Sequence, residues 1–496
     1  MMLNTFVPLL LLLPSVALTS SATVKSTAAV VPEQHLVTAS PAAWEATKTN
    51  EPQRGIISVL AGDGWSTLNS LGSDVFSHER SGVLNFFRGY PTGDAVKRHL
   101  RLHDSQIAAL PTKVLNLPGY GNWTDQGWNL RFHGNVYQQP HISKFKLDHL
   151  ANLFLIGTSL RSLPPSQASQ ARNLTAEIFI LQQGGRNVSF SLASAPTAGS
   201  SSEPGGYQTI KLPYLTTHEG DFDSFLPLTD TGLKSGNSTD QIQRLHVYAQ
   251  GTDTGNATAY LVPLRGLTVI SDIDDTLRVT RIYKPAEALL NTFARPFTPW
   301  LNMPSIYADW SARIPNLHFH YLTTTPEQVT RIYMDFIYKT YPGGSFDTRP
   351  LNFRDVSAAL SIRKFLLRKV FRTYPQRKFI LVGDTSNMDV MQDYPAMARE
   401  FPGQVQCIFL RNTSATDAKD RFPYDTSGFK GLDQKMYMFF RVPDDLTNLD
   451  IANRQCYNSS VPQNLTFGYQ GLPFGIHTGS GKKGWLSRFL SAQHGG

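Results

Sequence analysis

The run Leu267-Thr268-Val269-Ile270-Ser271-Asp272-Ile273-Asp274-Asp275-Thr276 decides how this chain is read. Its first half is a short apolar stretch, the pattern of a strand buried on both faces. Asp272, Asp274 and Asp275 follow where that strand must end. Carboxylates this close repel one another, and a hard cation held by oxygen ligands relieves the repulsion. In a parallel sheet ligands gather beyond the carboxyl ends of the strands, so these acids emerge at a functional edge.

Downstream, strands expected at 317–322, 379–382 and 405–410 alternate with helices, the signature of a parallel sheet covered by helices. The second strand runs into Thr323, Thr324 and Thr325, and the third ends in Val382-Gly383-Asp384, with Asp389 a few residues on. Carboxylates and hydroxyls thus meet at neighbouring strand ends, as phosphoryl transfer requires. One helix is well specified: Thr325 caps it, Pro326 suits its first position, Gln328 completes a capping box, and Val329, Ile332, Tyr333, Phe336 and Ile337 form its apolar face. The segment 361–378 holds seven basic residues and no acidic one; Lys364, Arg368 and Arg372 share a helix face, read as solvated rather than lipid-bound.

Upstream, across 111–265, the apolar period is two, as in Trp128, Leu130 and Phe132 or Val188, Phe190 and Leu192. Such half-buried strands, broken by Gly, Pro, Asn and Ser, predict an antiparallel β-sandwich-like domain ahead of the α/β domain at 266–460. Residues 1–22 read as a secretory signal peptide too short to span a bilayer. A Ser/Thr/Ala-rich linker at 23–55, short helical segments at 56–110 and a flexible tail at 461–496 complete the division. Asn122, Asn173, Asn187, Asn237, Asn256, Asn412, Asn458 and Asn464 stand in N-glycosylation acceptor triplets. With the leader they imply residence in the secretory pathway, extracellular or in a vacuolar lumen, without a transmembrane helix in the mature chain.

The chain has 496 residues, 41% of them hydrophobic and 17% charged, which excludes a wholly disordered or fibrous protein. Its net charge of +8 names no partner, and nothing in it singles out nucleic acid. Two cysteines exclude a disulfide framework or a Cys-rich zinc site; a Cys407–Cys456 bond and a buried thiol both remain open. His318 and His320 project from one strand face and read as packing. Gly475, Gly481 and Lys482 miss the spacing of a phosphate loop, and Trp485, Leu486, Phe489 and Leu490 beside Lys482, Lys483 and Arg488 leave open peripheral contact with a membrane surface.

The strand-end motifs resemble the haloacid dehalogenase superfamily. More narrowly, Ser271 to Thr276, Phe319-His320-Tyr321 before the threonine run, Tyr341-Pro342-Gly343-Gly344 and Phe379 to Asp384 look like the fungal magnesium-dependent phosphatidate phosphatases associated with actin patches. The resemblance implies a Rossmann-like α/β domain and a phosphatase that hydrolyses phosphatidate, a phospholipid substrate, to diacylglycerol. It implies Asp272 as nucleophile forming an aspartyl-phosphate, and Asp274 as acid and then base. Magnesium (Mg2+) would be held by Asp272, the Asp274 carbonyl and Asp384, with Asp389 supporting it. Thr323, backed by a helix N-terminus at Pro326, would bind a non-transferring oxygen, and Arg363 or Lys364 would supply the cation. Thr323 to Thr325 and Thr385-Ser386-Asn387 depart from the family pattern. The alternatives are a phosphatase of another lipid or soluble phosphate, and a catalytically silent lipid-binding protein.

Overall fold

The computed structural model describes residues 93–155, 157–194, 208–229, 233, 241–349, 362–417, 424–463 and 467–470. The leader, the linker, residues 56–92, the tail beyond 470, Asn237 and Asn464 lie outside them.

Nine strands build the first sheet: β1 (Thr112–Asn116), β2 (Tyr120–Thr124), β3 (Gly127–Gln138), β4 (Leu181–Gln182), β5 (Ser189–Ser194), β6 (Gln208–Lys211), β7 (Asp221–Pro227), β8 (Gln243–Ala249) and β9 (Ala257–Leu261). Their order is β1-β3-β2-β9-β8-β5-β6, with β4 and β7 also on β3. All pairings are antiparallel except β2 with β9. The alternation read in the sequence fills an internal core of Trp128, Leu130, Phe132, Phe190, Phe222 and Leu245. Two helices also lie within 111–265, where only strands were expected: α1 (Lys144–Asn152) and α2 (Pro165–Ile178). The spacing of Ala168, Ala171, Leu174, Thr175 and Ile178 gives α2 its buried stripe.

The polar face of β3 corrects the half-buried reading. Arg131 and His133 are each 2% exposed, because that face lies against the second sheet rather than water.

The second sheet contains six parallel strands: β10 (Leu267–Ser271), β11 (His318–Pro326), β12 (Ser345–Arg349), β13 (Lys378–Asp384), β14 (Val405–Arg411) and, after the two-residue β15 (Tyr424–Asp425), β16 (Tyr437–Phe440). Their order, β12-β11-β10-β13-β14-β16, runs outward in both directions from β10, so β10 marks the switch point. Side chains alternate between two cores: Val269, Tyr321, Val382 and Phe409 meet α4 (Met303–Arg313), which follows α3 (Pro285–Phe293), and α5 (Thr330–Thr340). Ile270, Leu322, Leu381 and Leu410 meet α6 (Ile362–Thr373) and α7 (Met388–Glu400). β12 and β16 were not anticipated. Ser345-Phe346-Asp347-Thr348-Arg349 is mostly polar, yet its first four residues are buried because the first sheet covers this edge.

The units share their cores: Leu115, Leu117, Tyr137 and Ile180 join one of these clusters, and Tyr120, Tyr260 and Val262 the other. The Phe346 amide donates to the Pro118 carbonyl (2.9 Å). Arg131 pairs with Asp223 (2.8 Å) and with Asp347 of β12 (2.8 Å), and His133 meets Glu327 (3.0 Å). The boundary at 265 therefore separates two sheets that are not independently packed.

The helix expected from Pro326 begins later. β11 continues through Pro326, which partners Arg349 after a register irregularity, then one 3-10 turn (Glu327–Val329) leads into α5. Val329, Tyr333, Phe336 and Ile337 are buried as read, but Gln328 is buried too and closes no capping box. The basic face of α6 stays at the surface, where part-exposed Arg368 (2.6 Å) and Lys364 (3.9 Å) meet Glu400 of α7.

Cys407 and Cys456 form a disulfide, with Cα atoms 5.3 Å apart and a sequence separation of 49. Closing a loop of that length in the unfolded chain is worth about 3–4 kcal/mol. Cys456→Ser is expected to lose about that much in denaturant unfolding. Asn122 cannot carry a glycan in this fold, being 4% exposed with its amide donating to the Thr373 carbonyl (3.1 Å). Asn173, Asn187 and Asn256 are exposed. The side chains of Asn412 and Asn458 accept local hydrogen bonds from Ala415 (3.1 Å) and Ser460 (2.7 Å). No helix among the described residues is long and apolar enough to cross a membrane.

Candidate active site

Ser271 of β10 pairs with Tyr321 of β11 and Val382 of β13, so Asp272, Thr323 and Asp384 fall at three adjacent strand ends. The Asp272 amide still donates to the Val382 carbonyl (2.9 Å), which fixes its backbone to the sheet. Tyr307 donates to Ser271 Oγ (2.8 Å), and Ser271 Oγ to the Asp272 carbonyl (2.8 Å).

The Asp272 carboxylate is 2% exposed and held on both oxygens. Oδ1 accepts from the Ile273 amide (3.0 Å) and Arg363 Nη2 (3.1 Å), and Oδ2 accepts from Asn387 Nδ2 (3.3 Å). Burial pushes its pKa up to about 6, against the pull of Arg363 and with the help of Asp274. Of the two candidate cations, Arg363 is therefore the one at the site. Lys364 is turned away to Glu400, because consecutive helical residues point about 100° apart.

Asp274 is oriented by Thr280 Oγ1 (2.7 Å), Arg278 Nε (3.0 Å) and the Tyr333 hydroxyl (3.0 Å). Asp275 has a different task. With φ at 54°, it accepts from the amides of Thr280 (3.0 Å), Arg281 (2.7 Å) and Ile282 (2.7 Å), closing the loop after β10. Part of the repulsion read into this acidic run is thus absorbed by backbone N–H groups.

Asp384 Oδ1 accepts from Ser386, through its amide (2.6 Å) and its hydroxyl, and from Thr413 Oγ1 (3.4 Å). Oδ2 is buried without a hydrogen-bond partner. Burial, then Asp275 and Asp272, push this carboxyl up to about 8. Thr323 is 1% exposed, and its Oγ1 accepts from the Thr325 amide (3.1 Å). With β11 continuing to Pro326, no helix start stands behind it. Asp389 lies in the first turn of α7, where its charge favours protonated Arg363.

Asn387, Tyr333, Arg278 and Thr280 are site residues that the sequence reading missed. A signal existed for Asn387: it is an N-cap residue type, and it caps α7 by accepting from the Asp389 amide (3.1 Å). His318 and His320 are buried and share Ser345 Oγ (3.0 and 2.8 Å), a packing role.

The donors at Asp272 and Asp384 are all oxygen, and among the described residues no group of three His, Cys, Asp or Glu side chains forms a metal cage. Magnesium takes one or two carboxylates and keeps several waters, so the orphaned Asp384 oxygen beside Asp272 fits it.

Residues 267–412 match the family described as phosphatidate phosphatase APP1, catalytic domain. Phosphatidate phosphatase APP1 of Saccharomyces cerevisiae is 26% identical over 153 residues, 29% of this chain and 26% of the yeast protein. An uncharacterised Schizosaccharomyces pombe protein is 23% identical over 309 residues, 59% of this chain and 46% of that one. This chain thus covers less than half of either relative. A Bacteroides uniformis beta-glucuronidase structure overlaps with a TM-score of 0.17 and 9% identity, too distant to carry any argument.

Proposed function

We propose that this chain is a magnesium-dependent phosphatase that removes the phosphoryl group of phosphatidate through an aspartyl-phosphate on Asp272. The observation that carries the reading is the placement of Asp272 beside Arg363 at one strand end, with the unpartnered Asp384 oxygen at the next. The family match over 267–412 supports the substrate class.

In the first half-reaction an Asp272 oxygen attacks phosphorus, and the bond from phosphorus to the diacylglycerol oxygen breaks. Asp274, steered by Thr280, Arg278 and Tyr333, delivers a proton to that oxygen. In the second half, Asp274 takes a proton from water, which attacks phosphorus and frees Asp272. Arg363 and the Thr323 hydroxyl balance charge on the non-transferring oxygens. Asp272, Asp384 and the Asp274 carbonyl would hold magnesium, with Asp389 in a supporting place; bound there, the ion neutralises charge on the phosphoryl oxygens.

The test is a substrate panel: phosphatidate in mixed micelles, other lipid phosphates and small phosphomonoesters, each with and without magnesium. Release of phosphate from phosphatidate only with magnesium supports the reading. Preference for soluble esters would move the substrate class, and micelle binding without turnover would favour a silent lipid-binding protein.

A pH effect follows from the raised carboxyls. In the metal-free protein both must lose protons before they bind a cation, so magnesium affinity rises with pH toward about 8. Magnesium is expected to raise Tm more at pH 8 than at pH 6, and Asp384→Asn to erase most of that difference.

The Cys407–Cys456 bond supports an oxidising compartment, in keeping with a secretory location. Endoglycosidase treatment of the secreted chain is expected to shift its mobility, and Asn122→Gln to leave that shift unchanged.

A further inference from the structure

We propose that the antiparallel sheet is a positioning device for catalysis: it anchors helix α6 through Asp223, Asn122 and Gly121, and α6 in turn sets Arg363 against Asp272. This rests on the phosphatase reading above.

Arg363 is the second residue of α6 and 1% exposed. It reaches Asp272 through Nη2 alone, while Nε and Nη1 are buried without partners. So few bonds of its own leave its placement to the helix that carries it. The inner face of α6 is apolar, with Leu366, Leu367, Val370 and Phe371 buried. The hydrophobic driving force is non-directional, so directional bonds add a constraint on the rotation and axial position of this helix. Three of them come from the other sheet. Lys369 Nζ meets Asp223 Oδ2 of β7 at 2.5 Å, with the lysine side chain 4% exposed. The Thr373 carbonyl accepts from Asn122 Nδ2 (3.1 Å), and the Tyr374 hydroxyl donates to the Gly121 carbonyl (3.1 Å), both from β2.

The anchor is itself braced. Asp223 also takes Arg131 Nε (2.8 Å) and Nη2 (3.0 Å), and Arg131 Nη1 reaches Asp347 of β12 (2.8 Å). From Arg363 to Lys369 is about 9 Å of helix rise. Over less than two turns a helix moves as a rigid rod, so slippage at Lys369 reaches Arg363. Lys369, Asp223, Asn122 and Tyr374 are positioning residues that touch no substrate.

The experiment is a double-mutant cycle between Lys369→Met and Arg363→Ala, with Lys369→Arg as the conservative variant. Lys369→Met is expected to lower kcat about tenfold to a hundredfold with KM changed less than about twofold, the scale of a small misplacement. In the Arg363→Ala background the same change should cost no more than about twofold. Lys369→Arg should recover most of kcat. Tyr374→Phe and Asn122→Ala each delete one anchor bond and should give smaller losses of the same kind; they decide the matter if Lys369→Met fails to fold.

Hydrogen exchange over residues 362–366 provides a readout without substrate, and it should quicken in each folded anchor variant. If wild-type protein hydrolyses nothing, the phosphatase reading fails and exchange alone decides the anchor. Unchanged exchange, or kcat losses that multiply independently in the cycle, would overturn the proposal.

Discussion

Asp272→Asn is expected to lower kcat about 10⁴-fold, measured as phosphate released from phosphatidate with magnesium, while the protein keeps its fold. The substitution is isosteric. An amide oxygen can still accept from Arg363 and the Ile273 amide, which now bond Oδ1. What is lost is the anionic oxygen that attacks phosphorus. The stability effect should run the other way. The wild-type carboxyl is buried and lifted to about 6, so its ionised form at neutral pH opposes folding. The sign follows from linkage: a carboxyl raised in the folded state favours folding below its pKa and loses that benefit as pH rises through it. Asp272→Asn protein is therefore expected to melt no lower than wild type at pH 7 without metal. Loss of activity with stability held or gained marks a residue kept for chemistry rather than for packing.

The largest stability effect is expected at Arg131→Met. This guanidinium is 2% exposed and pairs with Asp223 and Asp347, from one sheet each. Burial and then Arg131 act on both acids in opposite directions, and the net result holds each below the usual carboxylate range. Removing the cation leaves Asp347 buried with His133 at 3.6 Å and the weaker pull of Lys369, and leaves Asp223 paired with Lys369. Breaking one buried pair costs about 3–5 kcal/mol, and here two are broken, so a loss of about 5 kcal/mol is expected. Denaturant unfolding would show it as a lower midpoint. A loss below about 1 kcal/mol would mean that the Arg131 ion pairs contribute little to holding the sheets together.

The site at the strand ends was legible because its signals are local. A buried strand followed by acids, and a second strand ending in Gly383-Asp384, can each be read within ten residues, and β10 and β13 then lie side by side. Asn387 was passed over because it belongs to a cap, and its contact with Asp272 crosses 115 positions. Arg363 and Lys364 could not be separated by spacing; a single helical step turns one to Asp272 and the other to Glu400. Thr325 and Pro326 carry good capping chemistry, but pairing with β12 kept them in the strand. Arg131 and His133 looked like solvent-facing members of an alternating strand. Alternation reports that two faces differ, not that the polar one meets water, and here a second sheet covers it.

In the proposed mechanism Asp272 carries the phosphoryl group between two half-reactions. Its most direct test is to mix protein, magnesium and phosphatidate, quench in acid within the first turnovers, and map peptides by mass spectrometry. A phosphoryl adduct is expected on Asp272 in the peptide spanning β10, present in wild type and absent in Asp272→Asn. Turnover by wild type with no adduct on that peptide, together with retained hydrolysis by Asp272→Asn, would contradict it.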